Sequence, residues 1–228
     1  MNKKQTDMAL NTSFQSIDTW VFDLDNTLYP ASSRLFDQID RKITEYIMQA
    51  LNLDWDAAYK KQKLFFREYG TSLRGMMEVH DIPPKDYLEY VHNIDLSPII
   101  PSPDLNQAIE QLPGRKVIFT NGSRTHAKNV TDKLGITHHF SATFDIVDCE
   151  FTPKPDIGVY VKMLKALSID PKSAVMIEDM ACNLVPASAL GMTTVWIRTE
   201  EVWAKEGAGG DHINYSVDDL TEWLKTIV

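Results

Sequence analysis

Asp23 and Asp25 close the apolar run Thr19-Trp20-Val21-Phe22-Asp23-Leu24-Asp25 and are followed at once by Asn26 and Thr27. Alternation along a strand puts residues two apart on one face, so both carboxylates are expected to enter one small volume. Like charges held together need a cation or a shared proton. Hard oxygens of this kind suit Mg2+, which keeps one or two protein carboxylates beside waters and a substrate phosphate. The run also opens like a calcium loop. That alternative fails because Leu28 stands where such a loop needs glycine and Arg34 where it needs glutamate. A solvated surface turn is at odds with the apolar Trp20, Val21, Phe22 and Leu24 around the pair.

Complementary groups end other apolar runs. Phe119-Thr120-Asn121-Gly122-Ser123 leads into a helical stretch from Arg124, which predicts a strand-to-helix turn whose hydroxyl and N–H groups face an anion, with Thr120 best placed to touch it. Lys154 lies between Pro153 and Pro155 just before a helix, where the dipole disfavours a cation. Either it is an ordinary solvent-facing lysine, or the prolines fix it there to counter a phosphate or a carboxylate. The run Ala174 to Ile177 ends in Glu178 and Asp179, followed by Asn183. These acids either cap the next helix or complete a metal site with the first pair.

The elements that must carry these groups follow from periodicity. Thr19 to Leu24 predicts a buried strand. Leu35, Ile39, Ile43, Ile47 and Leu51 recur every four residues along a helix from Ser33 to Leu51, and a second helix, Trp55 to Tyr69, ends at Gly70. Helical spacing continues through Met76 and Met77 and from Asp86 to Val91 across Pro83-Pro84, so residues 31–100 read as an all-helical insertion. After Pro101-Ser102-Pro103, strands alternate with helices. The predicted strands are Lys116 to Thr120, Phe144 to Val147, Ala174 to Ile177 and Thr193 to Ile197. The predicted helices are Asp104 to Gln111, Arg124 to Leu134 closed by Gly135, Asp156 to Leu167, a short one ending near Gly191, and a last one from about Val217. The expected fold is therefore α/β: a doubly wound, Rossmann-like parallel sheet built from residues 1–30 and 101–228, interrupted by a helical cap at 31–100.

Composition narrows the function classes. Lys and Arg total 23 against 32 acids, a net charge of −9, which argues against a nucleic-acid surface. No stretch reaches the roughly 18 consecutive apolar residues that suggest a membrane span. Beyond Lys3 and Lys4, Gln5 to Asp18 is too polar for a signal-peptide core, which leads to the expectation of a cytoplasmic protein. Cys149 and Cys182 form no Cys-x-x-Cys pair and are expected to be idle thiols. The histidines are scattered, and His138-His139 has nothing beyond adjacency to suggest a metal pair.

Asp23-Leu24-Asp25-Asn26-Thr27, Thr120, Lys154 and the pair Glu178-Asp179, in this order, resemble the four motifs of the haloacid dehalogenase superfamily of phosphotransferases, and the resemblance covers about residues 19 to 200. It implies that Asp23 is a nucleophile forming an aspartyl phosphate and that Asp25 protonates the leaving oxygen and later activates water. It implies Mg2+ held by Asp23, Asp179 and the Asp25 backbone carbonyl, with Thr120, the Asn121 amide and Lys154 on the phosphate oxygens. Glu178 and Asn183 would orient the metal waters and Lys154. Members that cleave carbon–halogen bonds lack the second aspartate, so Asp25 points to phosphate esters; a mutase is not separated by these residues.

The segment Tyr69-Gly70-Thr71-Ser72-Leu73-Arg74-Gly75-Met76 resembles part of the pyrimidine 5′-nucleotidase branch. It implies a nucleoside monophosphate such as UMP or CMP as substrate. Thr71, Ser72 and Arg74 are candidates to contact it, and Tyr29, Phe66 and Tyr69 either stack on a base or, as aromatics at helical spacing more often do, belong to the core. Thr71 or Ser72 as a plain helix N-cap is the competing account. A phosphatase for phosphoglycolate or pyridoxal phosphate and a non-catalytic phosphate-binding module are the remaining alternatives.

Overall fold

The computed structural model describes residues 14–228. Residues 1–13, with Lys3, Lys4 and the start of the 1–30 segment, lie outside the described residues. Six strands form one sheet: β1 (Thr19–Phe22), β2 (Arg115–Phe119), β3 (Phe140–Phe144), β4 (Ala174–Glu178), β5 (Thr193–Ile197) and β6 (Tyr215–Val217). Their order is β3-β2-β1-β4-β5-β6 and every pair is parallel. This is the doubly wound α/β arrangement expected from the alternation of strands and helices.

β1 and β4 are buried at every position, as central strands covered on both faces must be. Trp20 and Phe22 pack on one face with Leu105, Ile109, Val130 and Leu224. Those residues come from α5 (Pro103–Gln111), α6 (Arg124–Leu134) and α9 (Leu220–Ile227). Val21 packs on the other face with Val159, Tyr160, Met163 and Leu184, from α7 (Ile157–Ala166) and α8 (Leu184–Ala189). Each such fully buried side chain is worth about 1.5–3 kcal/mol, so two-sided burial makes the central strands the stable floor of whatever site sits at their ends.

Between β1 and α5 the chain is helical: α1 (Leu35–Leu51), α2 (Trp55–Tyr69), α3 (Ser72–His80) and α4 (Pro84–Val91). α2 packs on α1 and α3, and α4 on α1. The boundaries follow local chemistry. Asp54 Oδ1 accepts the Ala57 N–H at 2.8 Å to start α2, Gly70 ends it in a left-handed conformation at φ 80°, and Pro84 opens α4. Gly75 is there for packing, since a Cβ would collide with the Phe65 ring.

Two expectations need correction. The strand placed at 144–147 is β3 at Phe140–Phe144, because Asp145 Oδ1 accepts the N–H groups of Val147 and Asp148 and curls the chain away from the sheet. The helix placed from Val217 begins at Leu220, capped by Asp219, and Tyr215–Val217 is the edge strand β6. Among the described residues no helix is long and apolar enough to cross a membrane.

Candidate active site

The strand order reverses around β1, and in open parallel sheets ligands bind beyond the carboxyl ends of the strands at such a point. Asp23 follows β1 directly and its N–H is tied to Ile177 O of β4 at 2.9 Å. Asn26, at φ 61°, then turns the chain back, a conformation that asparagine tolerates better than most residues. Thr120 follows β2, Asp179 follows β4, and Lys154 arrives from the loop between β3 and α7.

Lys154 is the electrostatic centre. It is 2% exposed, and its ammonium donates to Asp23 Oδ1 at 2.8 Å, Phe119 O at 2.9 Å and Glu178 Oε1 at 3.0 Å. All its N–H donors are therefore committed. Burial alone would push its pKa down, but Asp23 and Glu178 hold it above the ordinary lysine value. Of the two accounts open from sequence, the fixed, carboxylate-paired lysine is the one observed.

That one cation faces three buried carboxylates, Asp23, Glu178 and Asp179, whose ligand atoms lie within 4.8 Å of one another. The deficit shows in their protonation: burial, then the charge of Glu178, pushes Asp23 up to about 8, and the same causes raise Asp179 well above the carboxylate range. Glu178 itself is fully used. Oε1 accepts from Lys154 and Asn183 Nδ2, and Oε2 from the N–H of Asp179 at 2.8 Å. Asp179 Oδ2, by contrast, is buried with no hydrogen-bond partner. An orphaned carboxylate oxygen beside Asp23 in a pocket short of positive charge fits a hard divalent cation, with Glu178 and Asn183 behind it.

Next to this cluster lies a small polar cradle. Thr120 is 1% exposed and its Oγ1 accepts the Gly122 N–H at 2.9 Å. Asn121 spends its side chain on the Lys154 backbone, accepting from its N–H at 2.9 Å and donating to its carbonyl at 3.3 Å. A Cβ on Gly122 would stand 3.3 Å from Thr120 Oγ1 and His126 Cδ2 and 3.7 Å from Asp25 Oδ2. Gly122→Ala is thus expected to displace the Thr120 hydroxyl and the His126 ring by a few tenths of an ångström, with little change in melting temperature. A crystal structure of the variant beside thermal denaturation checks both halves.

Asp25 sits apart from Lys154. Its Oδ1 accepts Tyr29 Oη at 2.6 Å and His126 Nε2 at 2.8 Å. Burial pushes the carboxyl up, but His126 and Tyr29 outweigh it and the net shift is downward. Tyr29, a stacking candidate from sequence, is 2% exposed and spent on this bond, so it is not free to meet a base. His126, one of the histidines that read from sequence as scattered, is a neighbour of Asp25. The signal for it was its place in the first turn after Thr120-Asn121-Gly122-Ser123.

In the helical insertion, Thr71 Oγ1 accepts the Arg74 N–H at 3.2 Å and caps α3. The buried Ser72 hydroxyl donates to Gln62 O at 3.1 Å. Arg74 is half-buried and only loosely paired, its Nε 3.8 Å from Glu78 Oε1. Gly70 lies against Pro153, beside Lys154. Phe66 is exposed, and Tyr69 packs edge-on to Phe65. Cys149 and Cys182 are unpaired, and burial pushes their thiols up to about 12 and about 11. His139 hydrogen-bonds Asn106.

Comparison with known proteins converges on one family. Residues 17–189 match the family model described as haloacid dehalogenase-like hydrolase. Phosphate metabolism protein 8 of Saccharomyces cerevisiae is 28% identical over 192 residues, 75% of this chain; the match spans 58% of the yeast protein's length. Glyceraldehyde 3-phosphate phosphatase of Pyrococcus abyssi is 26% identical over 221 residues, covering 90% of this chain and 92% of that protein. In three dimensions the chain resembles a HAD phosphatase from Thermococcus onnurineus with a TM-score of 0.61 at 18% identity, covering 92% of this chain and 97% of that one.

Proposed function

Since the chain belongs to the haloacid dehalogenase-like hydrolase family, we propose that it is a Mg2+-dependent phosphomonoesterase working through a phosphorylated Asp23. The observation that carries this reading is Asp25, a second acid held by two donors in the turn that follows Asp23. Cleaving a carbon–halogen bond releases a halide that needs no proton, so Asp25 would have no task there. A phosphate ester releases an alkoxide that does need one.

In the first step an Asp23 carboxylate oxygen forms a bond to phosphorus while the ester P–O bond breaks, and Asp25 gives its proton to the departing oxygen. In the second, Asp25 takes a proton from water as that water attacks phosphorus, releasing phosphate and restoring the Asp23 carboxylate. The depressed pKa of Asp25 suits the second step; the negative charge of the incoming ester lifts it for the first. Mg2+, held by Asp23, Asp179 and the Asp25 backbone carbonyl, would supply the positive charge that the carboxylate cluster lacks. Thr120 Oγ1, the Asn121 main-chain N–H and Lys154 hold the phosphate oxygens. The Lys154 ammonium is kept in place by Glu178 Oε1, which Asn183 Nδ2 holds in turn.

Residues 31–100 act as a cap that excludes water and selects the substrate. The 69–76 segment supports a pyrimidine nucleoside 5′-monophosphate such as UMP or CMP, and Arg74 is the cap side chain freest to meet it. A small sugar phosphate is the second reading, favoured by the match along 92% of the archaeal relative. The test is phosphate release from UMP, CMP, glyceraldehyde 3-phosphate, phosphoglycolate, pyridoxal phosphate and p-nitrophenyl phosphate, with Mg2+ or with EDTA. Metal-dependent turnover with UMP or CMP ahead by about tenfold in kcat/KM supports the first reading; glyceraldehyde 3-phosphate in the lead supports the second. No metal-dependent release from any of them would falsify the enzyme.

A further inference from the structure

Tyr29 Oη and His126 Nε2 both bind Oδ1 of Asp25, while it is Oδ2 that faces Gly122, 3.7 Å from where a Cβ on that residue would stand. A carboxylate with one oxygen locked by two donors cannot rotate, so only the other is offered to a reacting group. His126 is itself fixed. It is 1% exposed, its N–H is accepted by Ser123 Oγ at 3.2 Å, and its ring lies flat on His92, with centroids 4.4 Å apart and planes 8° apart. His92 is the first residue after α4, where the chain leaves the helical insertion, and its Nδ1 is 3.0 Å from the same Ser123 hydroxyl. Burial and the neighbouring His126 hold the His92 ring down to about 3, so it is a neutral surface to stack on.

We propose that His126, backed by His92, is a positioning residue that locks Asp25 Oδ1 and so presents Oδ2 to the leaving oxygen of the substrate. The proposal rests on the phosphomonoesterase reading, in which Asp25 Oδ2–H passes its proton to the ester oxygen as the P–O bond breaks. The loss of a positioned acid depends on how badly the leaving group needs a proton. A nitrophenolate leaves unaided and an alkoxide does not.

The experiment compares kcat/KM, which reports only the steps through P–O cleavage, for p-nitrophenyl phosphate and for an alkyl monoester, UMP or glycerol 2-phosphate, in the wild-type protein with Mg2+. For His126→Leu the expected loss is about a hundredfold on the alkyl ester and less than about fivefold on p-nitrophenyl phosphate. His126→Gln, which keeps an N–H donor, is expected to recover most of the alkyl-ester rate. Should His126→Leu fail to fold, His126→Gln and Tyr29→Phe, which removes the other donor on the same oxygen, carry the comparison, and Tyr29→Phe is expected to show the same split. Equal losses on both substrates, or none, overturn the positioning role while leaving the phosphatase reading intact. A wild-type protein inactive on every monoester overturns the reading and this proposal with it.

Discussion

Asp23→Asn is expected to lower turnover of every phosphomonoester by about four to six orders of magnitude and, in EDTA, to raise the melting temperature rather than lower it. The first effect is loss of the nucleophile. The second comes from charge: three buried carboxylates share one ammonium, and burial with Glu178 nearby lifts Asp23 from 3.8 to about 8. A group whose folded pKa lies above its unfolded one contributes stability that is full below the unfolded value and is lost as pH rises through the folded value. The metal-free parent should therefore weaken between about pH 4 and pH 8, while the amide, which carries no charge, does not share that loss. The gain in melting temperature should grow across this window to about 2–6 °C. Mg2+ should stabilise the parent increasingly as Asp23 ionises, and the variant far less. Scanning calorimetry from pH 4 to 9, with EDTA and with Mg2+, measures all of this. An Asp23→Asn protein less stable than its parent at pH 8 in EDTA would show that the cluster is balanced without a metal.

What was legible in the sequence is local. Helices Trp55–Tyr69 and Arg124–Leu134 lie where Gly70 and Gly135 punctuate them, and the central strands are apolar runs that water cannot share. What was not legible depends on distance or on single side chains. β3 moved because one aspartate, Asp145, captures backbone N–H groups that a strand would have used, and β6 is a three-residue edge strand without an apolar signature. In the candidate site, Asp23, Thr120, Lys154, Glu178 and Asp179 were visible because each ends an apolar run or sits between prolines. His126 was not, since its partner Asp25 lies 101 residues away and a histidine on a helix face reads as filler. Tyr29 lies in the core, the commoner fate of such an aromatic, and only its hydroxyl's contact with Asp25 reveals its further task.

Lys154→Met should produce the largest loss of stability of any change in the site. Met keeps an unbranched side chain of similar size, but the lysine's ammonium lies 5.1 Å from the Phe119 ring centroid and neutralises Asp23 and Glu178. Removing one partner of a buried ionic group costs about 3–5 kcal/mol, or about 6–20 °C in melting temperature for a chain of this size. The sign of the pH dependence separates this from a packing defect. Without Lys154 the Asp23 carboxyl can relieve itself only by keeping its proton, so its folded pKa rises further above about 8. The deficit should therefore be level from about pH 5 to about pH 7 and grow from about pH 8 upward, whereas a cavity would cost the same throughout. Lys154→Arg should rescue poorly, because a planar guanidinium cannot place donors on Asp23, Phe119 O and Glu178 from one nitrogen. The double variant Lys154→Met with Asp23→Asn should regain stability relative to Lys154→Met alone, since the amide removes one of the stranded charges. A double-mutant cycle run by thermal denaturation at pH 5 and pH 8 measures that coupling. If the two substitutions prove additive at pH 8, the ammonium and the carboxylate at 2.8 Å do not stabilise one another, and the charge deficit is not what shapes this site.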